Sequence, residues 1–431
     1  MSRWKEEYQR KLVTPEQAVK VIKSGQHIVL PLGGGEPPDL LEAMAKRKDE
    51  LEGVVLHQLL ALRKLSYLQP GMEVHFRHNS WFTSGASRAM VQAGLASVTP
   101  NYFHDVPRLI TDYIDVDILM ACVSPMDEHG YFSFGLSVDY TTTAALKAKT
   151  VILEVNPHMP RTLGNCFIHI NDAAMLVESS SPIPELASAP ITERDMAIGH
   201  YIADLVENGS TVQLGIGGIP NAVAQCLLNK EDLGIHTEMI VDGMVDLVEK
   251  GVITGKKKSM HKGKLVGTFA LGSNKLYQFL DNNPLIEMHP VSYTNDPYVI
   301  GQQYKMISVN AAVEVDLLGQ CCSESIGHVQ FSGTGGQADY ARGAVRSQGG
   351  KGFITVPATA KGNKISRIVP RLSEGAVVTT SKNDVDHVVT EFGVAKLRGR
   401  TFKERAQALI EIAHPDFRPW LREEAKRMNV L

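Results

Sequence analysis

The stretch Thr211-Val212-Gln213-Leu214-Gly215-Ile216-Gly217-Gly218-Ile219-Pro220 decides the fold. Four residues that favour a strand lead into a glycine-rich turn, and a helix-forming run from Asn221 to Leu228 follows. A strand, a tight turn and a helix in this order begin a βαβ unit, which is the building block of a parallel sheet. The stretch therefore predicts an open α/β sheet.

The same arrangement occurs earlier in the chain. His27-Ile28-Val29-Leu30 predicts a strand, a glycine turn follows at 31–35, and the next helix is expected near Asp39. Three glycines recur at one offset of 184 positions: Gly25 with Gly209, Gly33 with Gly217, and Gly34 with Gly218. Further segments resemble each other in the same order: 53–57 and 233–236, 115–119 and 314–318, 131–135 and 329–333. We interpret this pattern as an internal duplication; the alternative is a chance likeness among common βα turns.

The length of the chain agrees with a duplication. Its 431 residues suit two or three domains of about 100–200 residues each. A segment rich in serine and proline at 179–190 predicts a linker. We therefore predict an α/β protein with two similar open domains, each with a mostly parallel sheet, at residues 1–186 and 187–431.

Composition and motifs exclude several classes of function. The formal net charge of −3 gives no reason to expect nucleic acid or an anionic membrane as a partner. No stretch approaches the roughly 20 apolar residues of a membrane span, and the charged N-terminus has no apolar signal core, so we expect a cytoplasmic protein. The five cysteines have no CxxC spacing, the histidines have no HxxxH spacing, and there is no GxSxG motif. We therefore predict neither a metal site nor a serine hydrolase.

Comparing the two copies singles out one carboxylate. The second copy has His236-Thr237-Glu238 where the first copy has His57-Gln58-Leu59. Ligands of open α/β sheets bind outside the carboxyl ends of the strands, and Glu238 follows a short apolar strand. An exposed loop glutamate is the alternative. We predict that Glu238 is a functional residue.

Two glycine-rich turns are candidate binding loops. Gly215-Ile216-Gly217-Gly218 exposes backbone N–H groups at the start of a helix, where a phosphate or a developing oxyanion can bind. The turn is not a dinucleotide fingerprint, because Pro220 replaces the third glycine, and it is not a P-loop. The second turn is Gly333-Thr334-Gly335-Gly336, and a basic loop at 361–364 can meet phosphates. Helix packing and a solvated surface turn are the alternative explanations for these loops.

Four motifs in register carry a family resemblance. They are Gly215-Ile216-Gly217-Gly218-Ile219-Pro220-Asn221-Ala222-Val223, His236-Thr237-Glu238-Met239 with Asp242-Gly243, Gly333-Thr334-Gly335-Gly336-Gln337-Ala338-Asp339-Tyr340, and Val389-Thr390-Glu391-Phe392-Gly393-Val394-Ala395. From about Trp4 to Met428 the chain resembles the acetyl-CoA hydrolase/transferase family, and within it the 4-hydroxybutyrate and butyryl-CoA:acetate CoA-transferases. This resemblance implies the family I CoA-transferase fold.

The resemblance also implies a mechanism and its residues. A ping-pong exchange would pass through a mixed anhydride and a glutamyl-CoA thioester, both formed on Glu238. The backbone N–H groups of Ile216 and Gly336 would form the oxyanion hole, and Asn295 and Glu391 would orient or contact the reactants. The CoA-binding residues it implies are Gly215, Ile216, Gly217, Gly218, Ile219, Gly333, Gly335, Gly336, Ala360 and Lys361.

The implied partners are an acyl-CoA and a short-chain carboxylic acid. Coenzyme A is the cosubstrate, with no tightly bound cofactor and no metal, and the implied assembly is a homodimer or a dimer of dimers. The acyl group can be 4-hydroxybutyryl, butyryl or acetyl. Two other functions stay open: an acyl-CoA hydrolase, in which water opens the same thioester, and a sugar- or nucleotide-binding regulatory protein that uses the scaffold without chemistry.

Overall fold

The computed structural model describes residues 3–431, and contacts divide the chain into two compact units. The first unit comprises the residues up to Leu186 and a later segment, Val266–Thr294. The second unit comprises Ala187–Leu265 and Asn295–Leu431. Each unit combines helices with a mostly parallel sheet, so the predicted α/β class is confirmed. No helix in the described part of the chain is long and apolar enough to cross a membrane.

The helices and strands before Leu186 alternate along most of this part of the chain. In chain order they are α1 (Arg3–Lys11), α2 (Pro15–Ala18), β1 (His27–Val29), α3 (Pro38–Ala45), β2 (Val54–Leu59), β3 (Phe76–Phe82), α4 (Arg88–Gln92), β4 (Ser97–Val98), α5 (Val106–Asp112), β5 (Ile118–Val123), β6 (Tyr131–Ser133), α6 (Thr141–Lys147), β7 (Thr150–Val155), β8 (Phe167–His169) and β9 (Met175–Glu178).

The elements after Leu186 include more short strands. In chain order they are α7 (Glu193–Leu205), β10 (Thr211–Gln213), α8 (Gly218–Cys226), β11 (Gly234–His236), β12 (Met239–Ile240), α9 (Asp242–Glu249), β13 (Leu265–Gly267), β14 (Phe269–Ala270), α10 (Asn274–Leu280), β15 (Ile286–Met288), α11 (Val291–Thr294), α12 (Pro297–Gly301), β16 (Met306–Ala311), β17 (Glu314–Asp316), β18 (Cys321–Cys322), β19 (Ser325–Ile326), β20 (Val329–Gln330), α13 (Gln337–Arg346), β21 (Lys351–Thr355), β22 (Thr359–Ala360), β23 (Ile365–Ser366), β24 (Ile368–Val369), β25 (His387–Thr390), β26 (Gly393–Lys396), α14 (Phe402–Ile412) and α15 (Arg418–Arg427).

The sheet of the first unit has seven strands in the order β4-β3-β2-β1-β5-β7-β9, and all neighbours are parallel. Strand β5, which lies next to the central strand β1, reads Ile-Leu-Met-Ala-Cys-Val and is buried along its whole length. A continuous apolar run of this kind is typical of a parallel strand whose two faces are both covered. The second unit repeats the plan with β11-β10-β16-β21-β25, to which β26 adds an antiparallel edge.

The two sheets agree in register as well as in strand order. In the first unit His27 pairs with Val55 and Ile28 with Ile118; in the second, Thr211 pairs with Gly234 and Val212 with Ile307. Because His27 and Thr211 differ by the offset of 184, these pairs make Val55 equivalent to Gly234 and Leu59 equivalent to Glu238. The repeated register supports an internal duplication and the alignment that singled out Glu238.

Two of the predicted repeat pairs are wrong. The strand that occupies the place of β5 in the second sheet is β16, whereas 314–318 contributes β17 to a separate sheet, β18-β17-β24. The pair 131–135 and 329–333 also differs, because β6 bonds to the later strand β8 and β20 bonds to the earlier strand β19. Short apolar and polar runs resemble one another by composition alone, and the sheet neighbours decide which of them are equivalent.

The structure differs from the predicted domain boundaries in one segment. The sequence places Val266–Thr294 in the C-terminal domain, 187–431, but its contacts lie in the first unit. There the carbonyl oxygen of Thr268 accepts bonds from the backbone N–H groups of Val138 and Asp139, at 3.1 Å each, and the N–H of Met288 donates to Leu163 at 2.7 Å. Because these partners are far apart in sequence, composition gave no sign of the segment's return.

A buried histidine lies in the sheet of the first unit. His57 has its Nε2 2.9 Å from Nδ1 of His27 and its Nδ1 3.0 Å from Nδ2 of Asn79, and its ring stacks on Trp81. Burial, and then the neighbouring rings of His27 and His78, lowers the pKa of His57 to about 3. The folded protein therefore keeps this ring neutral at a pH where an unfolded chain would protonate it.

We predict that His57 makes the protein less stable in acid. The unfolded chain binds a proton at His57 below about pH 6.5, whereas the folded chain does not until about pH 3. The neutral ring of His57 therefore contributes its full share of the free energy of unfolding above pH 6.5. At pH 5 the free energy of unfolding is about 1–2 kcal/mol lower on its account. The His57→Gln variant should lose correspondingly less unfolding free energy between pH 7.5 and pH 5 in urea titrations. His129→Gln, which alters an exposed ring, should lose as much unfolding free energy over this pH range as the unmodified protein. An equal loss in all three proteins would contradict this account.

Candidate active site

The glycine turn of the second unit lies where its sheet changes direction. Strand β10 is flanked by β11 on one side and β16 on the other, so the chain order reverses at β10. Ligands of open α/β sheets bind at this point, beyond the carboxyl ends of the strands. The turn 215–217 leaves β10 there and leads directly into α8.

Helix α8 begins at Gly218 and not at Asn221 as the sequence suggested. Pro220 falls in the first turn, where a backbone N–H would have no partner inside the helix, so proline is tolerated. Gly217 precedes the helix with φ +117°, a conformation open to glycine but not to residues with a side chain. Gly218 is needed for packing, because a Cβ there would lie 2.6 Å from Oδ2 of Asp195. Ile216, in the middle of the turn, is 45% exposed.

Glu238 stands between two short strands, β11 and β12, and is half-buried. Its carboxylate oxygen Oε2 accepts a hydrogen bond from Nδ2 of Asn295 at 2.7 Å. A Cβ placed on Gly336 would overlap both this oxygen and the amide nitrogen of Asn295. Glu238 and Gly336, predicted from two motifs, and Asn295, implied by the family resemblance, thus meet at one point. Glycine is required at position 336 so that the carboxylate can be there.

Asn295 is completely buried beside this carboxylate. It precedes α12, whose first turn is capped by Asp296. Its second side-chain atom, Oδ1, has no hydrogen-bond partner among residues 3–431. Leaving a buried acceptor unpaired costs about 1–3 kcal/mol. The fold bears this cost and in return places the amide nitrogen of Asn295 against the carboxylate of Glu238.

The electrostatic surroundings of Glu238 come partly from α13. Gly336 is the N-cap of this ten-residue helix, so the helix presents its positive end to the carboxylate. Burial raises the pKa of Tyr340, in the first turn, well above its usual range, and the carboxylates of Glu238 and Asp339 raise it further. Tyr340 therefore stays neutral at physiological pH.

Glu391 belongs to a different part of the second unit. Its Oε2 accepts a hydrogen bond from the backbone N–H of Ala358 at 2.8 Å, and its Oε1 forms an ion pair with Nε of Arg194 at 3.1 Å. Arg194 also reaches the carbonyl oxygen of Thr359 and Oδ1 of Asn363, both at 3.4 Å. Glu391 and Arg194 together hold the segment 358–363, which carries the predicted CoA-binding residues Ala360 and Lys361.

Sequence reasoning missed Arg194. It lies in the first turn of α7, next to a capping box formed by Thr192 and Asp195, which explains a charged helix start without any functional role. The pairing with Glu391 joins residues almost two hundred positions apart, and only the packing of α7 against β25 and β26 brings them together. A motif within one segment could not have revealed it.

Comparison with known proteins identifies the class of this chain. The model of the acetyl-CoA hydrolase/transferase N-terminal domain matches residues 1–187, and the model of the C-terminal domain of the same family matches residues 272–425. The chain therefore belongs to the acetyl-CoA hydrolase/transferase family, as its motifs indicated.

Relatives of similar length narrow this class to the CoA-transferases. A succinyl-CoA:cyclohexane-1-carboxylate CoA transferase of Geobacter metallireducens is 55% identical over 99% of this chain and 97% of its own. A 4-hydroxybutyrate coenzyme A transferase of Clostridium kluyveri is 50% identical over 98% and 99%. The crystal structure of a 4-hydroxybutyrate CoA-transferase from Porphyromonas gingivalis has a TM-score of 0.86 at 39% identity, covering 99% and 100% of the two chains. The protein is an enzyme of the CoA-transferase class.

We predict that Gly336→Ala abolishes most of the activity without unfolding the protein. The added methyl group would displace the carboxylate of Glu238 and the amide of Asn295, and such a displacement should lower kcat about 100-fold or more. The measurement is acyl-CoA turnover, with circular dichroism to verify folding. Gly352→Ala is the matched control, because the nearest atom to its added methyl, Oγ of Ser308, lies at an ordinary 3.6 Å. Full activity in Gly336→Ala would show that the carboxylate can work elsewhere.

Proposed function

We propose that this enzyme transfers CoA between acetyl-CoA and 4-hydroxybutyrate or butyrate through covalent intermediates on Glu238. The observation that carries the proposal is the carboxylate of Glu238, held by Asn295 in the space that a side chain at Gly336 would need. A carboxylate nucleophile suits this chemistry, because an anhydride and then a thioester retain the activation of the acyl-CoA.

The steps balance with the two substrates and CoA alone. An oxygen of Glu238 attacks the thioester carbonyl, and the CoA thiolate leaves, which gives a mixed anhydride. The thiolate then attacks the Glu238 carbonyl of the anhydride, so that the first acid leaves as a carboxylate and glutamyl-CoA remains. The incoming carboxylate runs the same two steps in reverse. These steps require no cosubstrate other than CoA.

Each addition places a negative charge on a carbonyl oxygen, which backbone donors must stabilise. We assign this role to the N–H groups of Gly336 and Ile216, in agreement with the family motif. Two features support the assignment: Gly336 is the N-cap of α13, and the turn that carries Ile216 leaves β10 at the reversal of the sheet. CoA would bind along 215–219, 333–336 and 360–361, the last held by Glu391 and Arg194.

We predict that Glu238→Gln loses transfer activity while CoA still binds. The amide is nearly isosteric but is not a nucleophile, so turnover should fall by at least about 1000-fold. The unmodified enzyme, incubated with acyl-CoA, should show CoA bound covalently to the peptide that contains Glu238. Hydroxylamine should displace the CoA as a free thiol and leave a hydroxamate on Glu238. Mass spectrometry checks both results. An adduct on another residue, or normal turnover in the variant, would refute the mechanism.

The alternative of hydrolysis can be separated by the acceptor. We predict that release of CoA from the substrate stays slow until a carboxylate is added, because water must be kept from the glutamyl-CoA thioester. Thiol release and product acyl-CoA are measured with acetate, butyrate, 4-hydroxybutyrate, succinate and cyclohexane-1-carboxylate; the last two are included because a relative at 55% identity is named for them. Full-rate CoA release without any acceptor would make the enzyme a hydrolase instead.

The assembly and location implied by the family stay predictions. A homodimer or dimer of dimers is expected in solution, and light scattering of the purified chain measures its mass. A cytoplasmic location is expected for an enzyme whose substrates are CoA thioesters of intermediary metabolism.

A further inference from the structure

A second carboxylate, Glu324, is buried close in the structure to the glycine turn 333–336. Its side chain is 7% exposed, and its Oε1 accepts hydrogen bonds from Oγ1 of Thr379 at 2.9 Å and Oγ1 of Thr334 at 3.3 Å. Its Oε2 accepts from Nε2 of Gln330 at 3.3 Å. No lysine, arginine or histidine forms an ion pair with it within residues 3–431. Burying a carboxylate among neutral donors is costly, so the arrangement calls for an explanation.

The main chain around Glu324 holds the start of the same turn. Its carbonyl oxygen accepts from the N–H groups of Phe331 at 2.8 Å and Ser332 at 3.0 Å. Oγ of Ser332 in turn donates to the carbonyl oxygen of Ser323 at 3.2 Å. The residues that lead into the glycines are therefore bonded to 323–324 by both backbone and side chain.

The C-terminal side of the turn, at Gln337, is held by Thr380, the residue after Thr379. Nε2 of Gln337, the first residue of α13, donates to Oγ1 of Thr380 at 3.0 Å. Thr379 and Thr380 themselves bond through their N–H groups to the carbonyl oxygen of Cys321, at 2.9 and 3.2 Å. Thr334, before the two glycines, thus shares the acceptor Glu324 with Thr379, and Gln337, after them, bonds to Thr380.

We propose that Glu324 is a positioning residue for the reaction, which acts through Thr334 to fix the place of Gly335 and Gly336. This inference rests on the proposed function of Glu238 and extends it to a residue outside the family motifs. Gly335 and Gly336 have no side chains to anchor them, and Gly335 has φ +56°. Their position is set by the flanking residues, whose bonds lead to Glu324, Thr379 and Thr380.

The position of Gly336 matters at the scale of these bonds. Its Cα faces the Glu238 carboxylate so closely that no methyl group fits between them. A shift of the turn by about 1 Å would close this space or move the N–H of Gly336 away from the developing oxyanion, and shifts of that size typically cost about 100-fold in rate. The effect should fall more on the chemical step than on the binding of CoA, because CoA would also be held by 215–219 and 360–361.

The test uses two pairs of variants in the full-length enzyme. Thr334→Val and Glu324→Met remove the hydroxyl group and the acceptor with little change of shape, whereas Thr334→Ser and Glu324→Gln retain them. We expect kcat to fall about tenfold or more in the first two, with KM for acyl-CoA within about threefold of the unmodified enzyme. The conservative pair should stay within about threefold in both constants. The rate of CoA adduct formation on Glu238 should fall by the same factor as kcat.

Glu314→Met is the matched control. Glu314 also accepts bonds from neutral donors of a loop, the N–H of Ser373 at 2.7 Å and its Oγ at 2.8 Å, but this loop is not the glycine turn. Its kcat should be unchanged. If Glu324→Met does not fold, Thr334→Val decides the question. Normal kcat in Thr334→Val, or a rise in KM alone, would overturn the inference, whereas an unmodified enzyme without transfer activity would overturn the proposed function itself.

Discussion

The close approach between the Glu238 carboxylate and the backbone at Gly336 is the constraint on which the site depends. The carboxylate occupies the volume that any side chain at 336 would fill, and Asn295 donates to it at 2.7 Å. In the proposed reaction the negative charge develops on the carbonyl oxygen that Glu238 attacks, and the N–H of Gly336 is the donor assigned to that oxygen. Three atoms must lie within this small space: Oε2 of Glu238, Nδ2 of Asn295 and Cα of Gly336. This need explains the turn before α13, the burial of Asn295 and the glycine at 336.

The duplicated scaffold shows how such a site arises on one copy alone. Equivalent registers place Leu59 of the first unit where the second has Glu238, and Leu59 is 3% exposed and part of a strand. The glycine turns differ in the same sense. Leu32 of the first turn is 1% exposed, whereas its equivalent in the second turn, Ile216, is 45% exposed, so the first turn is covered and the second is open. The fold is common to both units, and the open, charged version belongs to the second.

The features that could be predicted from the sequence are those that depend on residues adjacent in the chain. Strand, turn and helix follow one another in order, so the α/β class, the offset of 184 and the asymmetry at Glu238 were accessible. The equivalence of 314–318 with 115–119 failed because likeness of short runs carries no record of which strands are neighbours in a sheet. Arg194 with Glu391 and Thr334 with Glu324 were inaccessible for a related reason: each pair is made by tertiary packing between segments that have no shared pattern.

The kinds of donor at Glu391 and at Glu238 indicate why the glycine turn is restrained by neutral groups. Glu391 is paired with the guanidinium of Arg194, which suits a residue that only holds a segment in place. At Glu238 the donor to Oε2 is an amide. In the proposed mechanism, a full positive charge in its place would stabilise the free carboxylate more than the anhydride, in which the negative charge of Glu238 is lost. It would therefore raise the barrier to attack. The glycine turn beside this carboxylate is anchored by hydroxyl groups that donate to Glu324. A lysine or arginine would be a poorer anchor for the same reason, because the protein interior screens charge weakly and its positive charge would act on Glu238 a few ångströms away.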